Sequence, residues 1–336
     1  MERRTIAYYG TLGPACESEE TLYEMFQMGM TGVRLNLSHT GLIECKGWIE
    51  HLQNAAKRAG KKAELLIDLQ GPELRVGVLK EPLLMKDGEV AALQKTEQQG
   101  GIPVPEEIFP ALEIGQQILI DDGAILVEVT EIAEDKAYVK VLRGGKLQSR
   151  KSLALIGKTV WLPTLTEKDK NNLKVAKQFH VTAVMVPFVR NKQDLINVRK
   201  ALFDTGNADI QIFAKIENMQ GVEQIEELLE EADQIIIARG DLGNAMPLWE
   251  LPAVQKYLSD CCIRANKPFM VVTQMLHSMT HSKVPTRAEV SDIYHAVLDG
   301  ASSVMVTGET AAGEYPVEVM KYLVKTGEMA IKGFSI

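Results

Sequence analysis

Lys215 and Glu217 lie two residues apart at the end of an apolar run, residues 210–216, and Asp241 follows another, residues 234–238. Alternate residues of a β-strand lie on one face, so Lys215 and Glu217 are predicted to lie side by side. Glu217 and Asp241 would give Mg²⁺ or Mn²⁺ two carboxylates and leave positions for water and substrate oxygens. The alternatives are a buried lysine–carboxylate pair that only stabilises the fold, and a Schiff base on Lys215.

A second group of polar residues ends two earlier apolar runs. Arg34, Asn36 and Ser38 alternate with leucines, and Asp68 ends the following run. The oxygens of Asn36, Ser38 and Asp68 would suit a hard cation. A charged Arg34 within a strand needs an anion or a carboxylate as its partner, so we expect it either to bind phosphate or to form an internal salt bridge.

The runs that carry these residues alternate with amphipathic stretches. Most runs are continuously apolar, which is typical of strands covered on both faces. The predicted strands are residues 6–12, 33–37, 65–69, 183–188, 210–216, 234–238, 269–273 and 303–306. The predicted helices are residues 18–28, 42–58, 166–179, 192–203, 222–231, 248–265, 287–298 and 316–329. Alternating strands and helices in this number predict an α/β fold, the (β/α)8 TIM barrel, with an open doubly wound sheet as the alternative.

Residues 76–160 interrupt this alternation. They contain β-rich runs and turns but no long amphipathic helix. We therefore predict a small β-rich lid domain, residues 76–160, inserted after the third strand of a barrel formed by residues 1–75 and 161–336. In such a barrel the chemistry takes place at the carboxyl ends of the strands, where the lid would cover it.

Composition and charge exclude several classes of protein. The formal net charge is −8, and without a block of Lys and Arg there is no electrostatic footprint for nucleic acid. No apolar run approaches the roughly 20 residues of a membrane-spanning helix, and the N-terminus has no signal-peptide core. The cysteines have no spacing typical of a disulfide framework. They are Cys16, Cys45, Cys261 and Cys262. We expect a cytoplasmic protein that binds neither nucleic acid nor membranes.

Taken in order, short motifs along nearly the whole chain resemble those of the pyruvate kinase family. They are residues 11–15 (TLGPA), 34–39 (RLNLSH), 68–75 (DLQGPELR), 121–123 (DDG), 162–169 (LPTLTEKD), 214–218 (AKIEN), 238–243 (ARGDLG), 273–276 (TQML), 285–292 (PTRAEVSD), 297–300 (VLDG) and 307–310 (TGET). The resemblance implies a glycolytic phosphotransferase, dependent on Mg²⁺ and K⁺, that transfers a phosphoryl group from phosphoenolpyruvate to ADP. It also implies a barrel and a lid domain, and we expect the C-terminal domain of the family to be absent.

The resemblance assigns a role to each matching residue. The implied catalytic residues are Lys215, which would stabilise the transferred phosphoryl group, Thr273, which would relay a proton to the enolate, and Arg34. The implied ligands are Glu217 and Asp241 for Mg²⁺ or Mn²⁺, and Asn36, Ser38, Asp68 and the Leu69 carbonyl for K⁺. The substrate would contact Ala238, Arg239, Gly240 and Thr273, and the nucleotide would contact Arg34, Asn36, His39, Arg75 and Lys151. Glu73 matches the K⁺-dependent form of its motif.

The sequence also departs from the family pattern. Leu69 and Gln70 replace a Thr-Lys pair, Pro187 replaces a serine, and residues 150–157 differ from the usual return to the barrel. The changes at Leu69, Gln70 and Pro187 leave open a metal-dependent lyase or decarboxylase that acts on a pyruvate-like keto acid through an enolate. The expected absence of the C-terminal domain leaves open a non-catalytic ligand-binding paralogue. A homodimer through the barrel is the expected assembly.

Overall fold

The computed structural model describes residues 5–38, 40–72, 74–95, 101–121, 123–158, 160 and 162–333. The chain forms two compact units. One comprises Met1–Gly71 with Thr164–Ile336, and the other comprises Pro72–Pro163. The second unit thus begins before residue 76 and ends after residue 160, the boundaries proposed from the sequence.

The first unit contains a closed barrel of parallel strands in which chain neighbours are also hydrogen-bonded neighbours. Numbered along the whole chain, the barrel strands are β1 (Ala7–Thr11), β2 (Gly32–Asn36), β3 (Glu64–Asp68), β12 (Ala183–Val186), β13 (Gln211–Ile216), β14 (Gln234–Ala238), β15 (Phe269–Val272) and β16 (Ser303–Met305). The predicted TIM barrel is confirmed, and each strand end lies within about two residues of its expected position.

Both faces of the barrel strands are buried, which explains their continuous apolar runs. Inward-facing residues form a core of their own inside the barrel, including Tyr9, Leu66, Met185, Phe213 and Ile236. The outward-facing residues join a larger core that includes residues of the surrounding helices. The barrel interior is therefore packed, and polar side chains remain for the ends of the strands.

Several helices of the first unit begin at a polar cap or a proline. They are α1 (Glu19–Met28), α2 (Lys46–Arg58), α3 (Glu167–Val175), α4 (Lys192–Asp204), α5 (Met219–Glu223), α6 (Ile225–Glu231), α7 (Arg239–Asn244), α8 (Leu251–Arg264), α9 (Arg287–Leu298), α10 (Gly308–Ala311) and α11 (Pro316–Lys332). Ser18, Thr166, Asn191 and Thr286 each cap a helix through the side-chain oxygen. In the described part of the chain, none of the helices has the length and apolar character needed to cross a membrane.

Some helix boundaries differ from the sequence prediction. The helix expected from residue 42 begins only at Lys46, because the Leu42 N–H donates to Asn172 Oδ1 at 3.0 Å and residues 42–45 form a turn. The helix expected from residue 248 begins at Leu251, with Pro252 in its first turn. The stretch expected at 222–231 is divided between α5 and α6.

The second unit is β-rich, as the sequence predicts. Its strands are β4 (Leu83–Met85), β5 (Val90–Gln94), β6 (Ile102–Pro103), β7 (Gln117–Ile120), β8 (Ile125–Ile132), β9 (Lys136–Arg143), β10 (Gly145–Leu147) and β11 (Leu153–Leu155). Six of them form one sheet in the order β11-β7-β8-β9-β5-β6, and β10 pairs with β4. The unit has its own apolar core, which includes Leu93, Ile118, Val127 and Val139.

Candidate active site

Arg34, Asp68 and Lys215 meet at the carboxyl ends of β2, β3 and β13. Arg34 Nη2 lies 2.6 Å from Asp68 Oδ2, and Lys215 Nζ lies 3.2 Å from both oxygens of the same carboxylate. Strand β12 stands between β3 and β13 in the sheet, so the Lys215–Asp68 contact bridges strands that are not neighbours. The structure therefore brings together two cations and one carboxylate from three separate strands.

Burial and charge act against each other in this cluster. Burial disfavours the charged form of Asp68, but Lys215 and Arg34 outweigh it and lower the pKa of this carboxyl. Burial also opposes the charge on Lys215, but Asp68 and Glu217 raise its pKa above the ordinary value. Both groups are therefore ionised at neutral pH, and Lys215 keeps the positive charge that an anionic substrate would meet.

Glu217 is fixed by both of its carboxylate oxygens. Oε1 lies 2.8 Å from Lys215 Nζ, and Oε2 accepts the Phe188 N–H at 2.9 Å. Phe188 adopts the left-handed conformation with φ 51°, a backbone state uncommon for a bulky residue. Burial raises the pKa of Glu217, Lys215 lowers it, and Asp241 and Asp68 raise it further. A cation beside this carboxylate would relieve that repulsion.

Glu217 and Asp241 fit a site for a small divalent cation. Asp241 lies in the first turn of α7, its side chain is exposed, and its charge acts on Glu217. Within the residues that the structure describes, no group of three or more His, Cys, Asp or Glu side chains is arranged to hold a metal ion. Mg²⁺ commonly takes one or two carboxylates and completes its octahedron with water and substrate oxygens, so two carboxylates suffice in number and the site stays a prediction.

Ala238, Gly240 and Thr273 lie at the ends of the neighbouring strands β14 and β15. A Cβ atom at Gly240 would lie only 2.9 Å from Thr273 Cγ2, so glycine permits the close approach. Thr273 has φ 81° and Gln274 has φ 56°, which are strained values for residues other than glycine. These residues form one surface at the barrel mouth, which is where the sequence places the substrate contacts.

Arg239, which is predicted to contact substrate, forms hydrogen bonds that fix the turn at Thr273. Its Nη2 donates to the Thr273 carbonyl at 2.7 Å, and its Nη1 donates to Asp292 Oδ1 at 2.7 Å. Nη2 also lies 2.8 Å from Met275 Sδ. The guanidinium is thus used to fix the strained turn at Thr273, a role that its position in the motif does not reveal.

The residues predicted to bind K⁺ lie on adjoining strand ends. Asn36 Oδ1 accepts the Ser38 N–H at 3.1 Å, the Leu37 N–H donates to the Asp68 carbonyl at 3.0 Å, and Leu69 directly follows Asp68. The Asp68 carboxylate already contacts Arg34 and Lys215, so its oxygens are shared between those cations and any bound ion. The K⁺ site stays a prediction.

The residues predicted to bind nucleotide belong to both units. Arg34 and Asn36 belong to the barrel, whereas Arg75 and Lys151 belong to the inserted unit. Arg75 Nη1 donates to the Arg150 carbonyl at 2.7 Å, and Lys151 Nζ lies 2.8 Å from Asp121 Oδ1. His39, together with Glu73 and Asp122 of the motifs, lies outside the described residues.

Sequence reasoning missed the acidic residues that hold the strand-end loops. Asp292 fixes Arg239, as described above. Glu309 is 2% exposed, and its Oε2 accepts the Thr307 N–H at 2.7 Å. Asp169 is fully buried beneath residues 70 and 71. All three lie inside the motifs that carry the family resemblance, and this position in the motifs is the sequence feature that could have identified them.

A closed parallel barrel with ionised side chains gathered at the carboxyl ends of its strands defines the TIM-barrel class of folds, in which active sites lie at that end of the strands. Within that class, the chain belongs to the pyruvate kinase family, because the model for the barrel domain of pyruvate kinase matches residues 3–320. The pyruvate kinase of Staphylococcus epidermidis is 39% identical over 318 residues, which cover 93% of this chain and 54% of that protein. The pyruvate kinase of Geobacillus stearothermophilus is 39% identical over 331 residues, which cover 96% and 56%. The chain thus spans about half the length of these curated relatives.

Proposed function

We propose that the chain transfers a phosphoryl group from phosphoenolpyruvate to ADP and forms pyruvate and ATP. The observation that carries this proposal is the position of Lys215 between Asp68 and Glu217, at 3.2 and 2.8 Å. A fixed ammonium group beside a carboxylate pair suited to a divalent cation provides positive charge where phosphoryl oxygens must be stabilised. Membership of the pyruvate kinase family supports the same reaction.

In this reaction the bond between phosphorus and the enol oxygen of phosphoenolpyruvate breaks, and a bond from phosphorus to a terminal ADP oxygen forms. Lys215 would stabilise the charge on the oxygens of the phosphoryl group in transit, because its ammonium is held rigidly by Asp68 and Glu217. Arg34 would add a second positive charge on the same side. The enolate then takes a proton at its methylene carbon, and the hydroxyl of Thr273 would relay it.

Two cation sites belong to the proposal. Glu217 and Asp241 would hold Mg²⁺ or Mn²⁺, which neutralises phosphate charge and orients the oxygens when it is bound. Asn36, Ser38, Asp68 and the Leu69 carbonyl would hold K⁺. The nucleotide would contact Arg34, Asn36, His39, Arg75 and Lys151.

A coupled assay of pyruvate formation tests the proposal. Phosphoenolpyruvate, ADP, Mg²⁺ and K⁺ should give steady turnover that stops when EDTA removes the divalent cation and falls when Na⁺ replaces K⁺. The assay should be repeated with other nucleoside diphosphates in place of ADP and with Mn²⁺ in place of Mg²⁺. The absence of pyruvate and ATP under every combination would overturn the proposed function.

A second candidate is a lyase or decarboxylase that uses the enolate half of this chemistry alone. Pro187 favours it, because a proline replaces the serine of the family motif and its ring packs against Gly71, where a Cβ would collide with it. Exchange of pyruvate methyl protons with deuterated water, measured without ADP or phosphate, would support this candidate if phosphoryl transfer were absent. Exchange that accompanies ADP turnover supports the phosphotransferase instead.

The family resemblance also favours a homodimer formed through the barrel. Light scattering of the purified chain at several concentrations tests this assembly. A mass near twice 37.2 kDa is expected, and a stable monomer or tetramer would contradict it.

A further inference from the structure

Asp169 joins the start of α3 to the loop that follows β3. Its Oδ1 accepts the Gln70 N–H at 2.8 Å, and its Oδ2 accepts the Gly71 N–H at 3.1 Å. The same Oδ2 accepts from the backbone N–H and the hydroxyl of Thr166, at 3.0 and 2.7 Å, in a capping box. A capping box requires only the bonds with Thr166, so the bonds to Gln70 and Gly71 serve a different purpose.

Two further side chains of α3 hold the loop that follows β2. Lys168 Nζ donates to the Ser38 carbonyl at 3.2 Å, and Asn172 Oδ1 accepts the Leu42 N–H at 3.0 Å. Leu42 is fully buried, so loss of the Asn172 oxygen would leave the Leu42 N–H buried without this acceptor. The first turns of α3 therefore fix two consecutive loops of the barrel mouth.

We propose that Lys168, Asp169 and Asn172 are positioning residues that set the β2 and β3 loops for catalysis, an inference that rests on the proposed phosphotransferase function. The β3 loop begins directly after Asp68, whose carboxylate lies within 3.2 Å of Lys215 and Arg34. The β2 loop contains Ser38 and follows Arg34 by a few residues. A displacement of either loop moves the charges that orient Lys215.

The bonds of Asp169 make this dependence strong. Its carboxylate accepts from four donors, and a neutral amide in its place cannot accept from all of them. A displacement of about 1 Å caused by a change remote from the reacting atoms can cost on the order of 100-fold in rate. Asp169→Asn is therefore expected to lower kcat by roughly 10- to 100-fold.

Thr166→Val is the matched control for Asp169→Asn. It removes the hydroxyl from the capping box but keeps the Asp169 carboxylate for Gln70 and Gly71. It should lower the melting temperature while leaving kcat within about twofold, since a cap contributes to helix stability and not to the loop. Equal losses of kcat in the two variants would assign the effect to the helix cap and overturn the proposal.

A second matched pair covers the case in which Asp169→Asn fails to fold. Lys168→Met removes the bond to Ser38 from a partly exposed position, and Lys170→Met makes the same change at an exposed residue that pairs with Glu167. Lys168→Met should lower kcat severalfold, and Lys170→Met should leave it unchanged. Identical kcat values in both variants and the parent chain would overturn the proposal.

Hydrogen exchange gives a readout that does not depend on turnover. Mass spectrometry of a peptide spanning residues 66–72 measures the exchange of the Gln70 and Gly71 amides. These amides should lose their protection from exchange in Asp169→Asn and should keep it in Thr166→Val. Unchanged protection in Asp169→Asn would contradict the positioning role. If Asp169→Asn loses this protection but the parent chain transfers no phosphoryl group, the proposed phosphotransferase function has failed. That result would contradict the claim that these loops are positioned for catalysis, although the loop contacts themselves would stand.

Discussion

Lys215 Nζ lies 3.2 Å from each oxygen of the Asp68 carboxylate, although the strands of the two residues are separated by another strand. The contact reaches across part of the barrel mouth and is almost fully buried, with the two side chains 12% and 4% exposed. Asp68 also binds Arg34 at 2.6 Å. Loss of the Lys215 charge therefore leaves Asp68 with one cationic partner in place.

Lys215→Ala should abolish phosphoryl transfer while leaving divalent-cation binding largely intact. Loss of one electrostatic donor to a transition-state charge typically slows an enzyme by ~10²–10³-fold, and we expect at least that loss in kcat. Mn²⁺ binding, followed by electron paramagnetic resonance, should persist because Glu217 and Asp241 remain. Lys256→Ala removes an exposed lysine paired with Asp260 and is the control. Turnover by Lys215→Ala at the parent rate would remove this residue from the mechanism.

Glu217→Gln and Asp241→Asn should each weaken Mn²⁺ binding. Changes to groups that merely orient a metal ligand cost ~10–100-fold in affinity, so loss of a ligand charge should cost at least about tenfold. In Glu217→Gln the amide oxygen of the new side chain can still accept the Phe188 N–H, which preserves the bond now 2.9 Å long. Glu223→Gln, at an exposed carboxylate on α5, is the control. Unchanged Mn²⁺ affinity in both site variants would rule out this acidic pair as the metal site.

Periodicity predicted the strands and helices, because strands buried on both faces must be apolar at every position and helices only along one face, but it left an open doubly wound sheet as an alternative to the barrel. The capping box at Thr166 is likewise readable from residues three apart. The bonds of Asp169 to Gln70 and Gly71 are not, since they join residues 99 and 98 positions apart. The late start of α2 has the same origin, because Asn172 is 130 positions from Leu42.

The sequence predicts which residues gather at the candidate site, but it does not predict which of them contact one another. Alternation placed Arg34 on the same face of β2 as Asn36 and left open whether it meets an anion or a carboxylate, and the structure pairs it with Asp68. The motif predicts Arg239 as a substrate contact, which stays a prediction, and it does not reveal that the guanidinium bonds to Asp292 and the Thr273 carbonyl. A motif identifies which residues gather at the barrel mouth, whereas hydrogen-bond partners depend on loop conformations that no local pattern encodes.

Gly240→Ala should impair substrate turnover with little effect on folding. The added Cβ would lie 2.9 Å from Thr273 Cγ2, and the Thr273 turn, with φ 81° held by Arg239, has little freedom to move. We expect a fall of about tenfold or more in kcat/KM for phosphoenolpyruvate, in line with the cost of small misplacements in an active site.

Gly243→Ala is the matched control on the same helix. Its Cβ would meet only side-chain ends, Leu248 Cδ2 at 3.3 Å and Leu251 Cδ2 at 3.4 Å. These flexible atoms can shift, so kcat/KM should stay within about twofold, and alanine should favour the helix slightly. A Gly240→Ala variant as active as Gly243→Ala would show that Thr273 has no fixed position in the reaction.

Asp194→Asn should lower the free energy of unfolding at neutral pH, and the difference from the parent chain should become smaller in acid. Burial raises the energy of the charged Asp194, but its hydrogen bonds from Arg190, at 2.8 and 3.0 Å, and from the Thr164 hydroxyl, at 2.7 Å, lower its pKa below the ordinary value. A carboxyl with a depressed pKa contributes stability that is complete above its unfolded-state pKa and is lost as pH falls through its folded-state pKa. At pH 7, breaking this ion pair should cost about 3 kcal/mol, because Arg190 is only 8% exposed and loses the negative charge that lies 2.8 Å away.

Melting curves of the parent chain and of Asp194→Asn between pH 7 and pH 3 measure this dependence. The gap between the two melting temperatures should be constant near neutral pH. It should begin to narrow as pH falls below about 4, the ordinary pKa of an aspartate, because the unfolded parent chain then takes up a proton that the folded carboxyl resists. Asp260→Asn, at an exposed pair with Lys256, should change stability by less than about 1 kcal/mol at any pH. If the difference in melting temperature between Asp194→Asn and the parent chain is independent of pH, the charge of the Asp194 carboxylate is not what stabilises its contacts with Arg190 and Thr164.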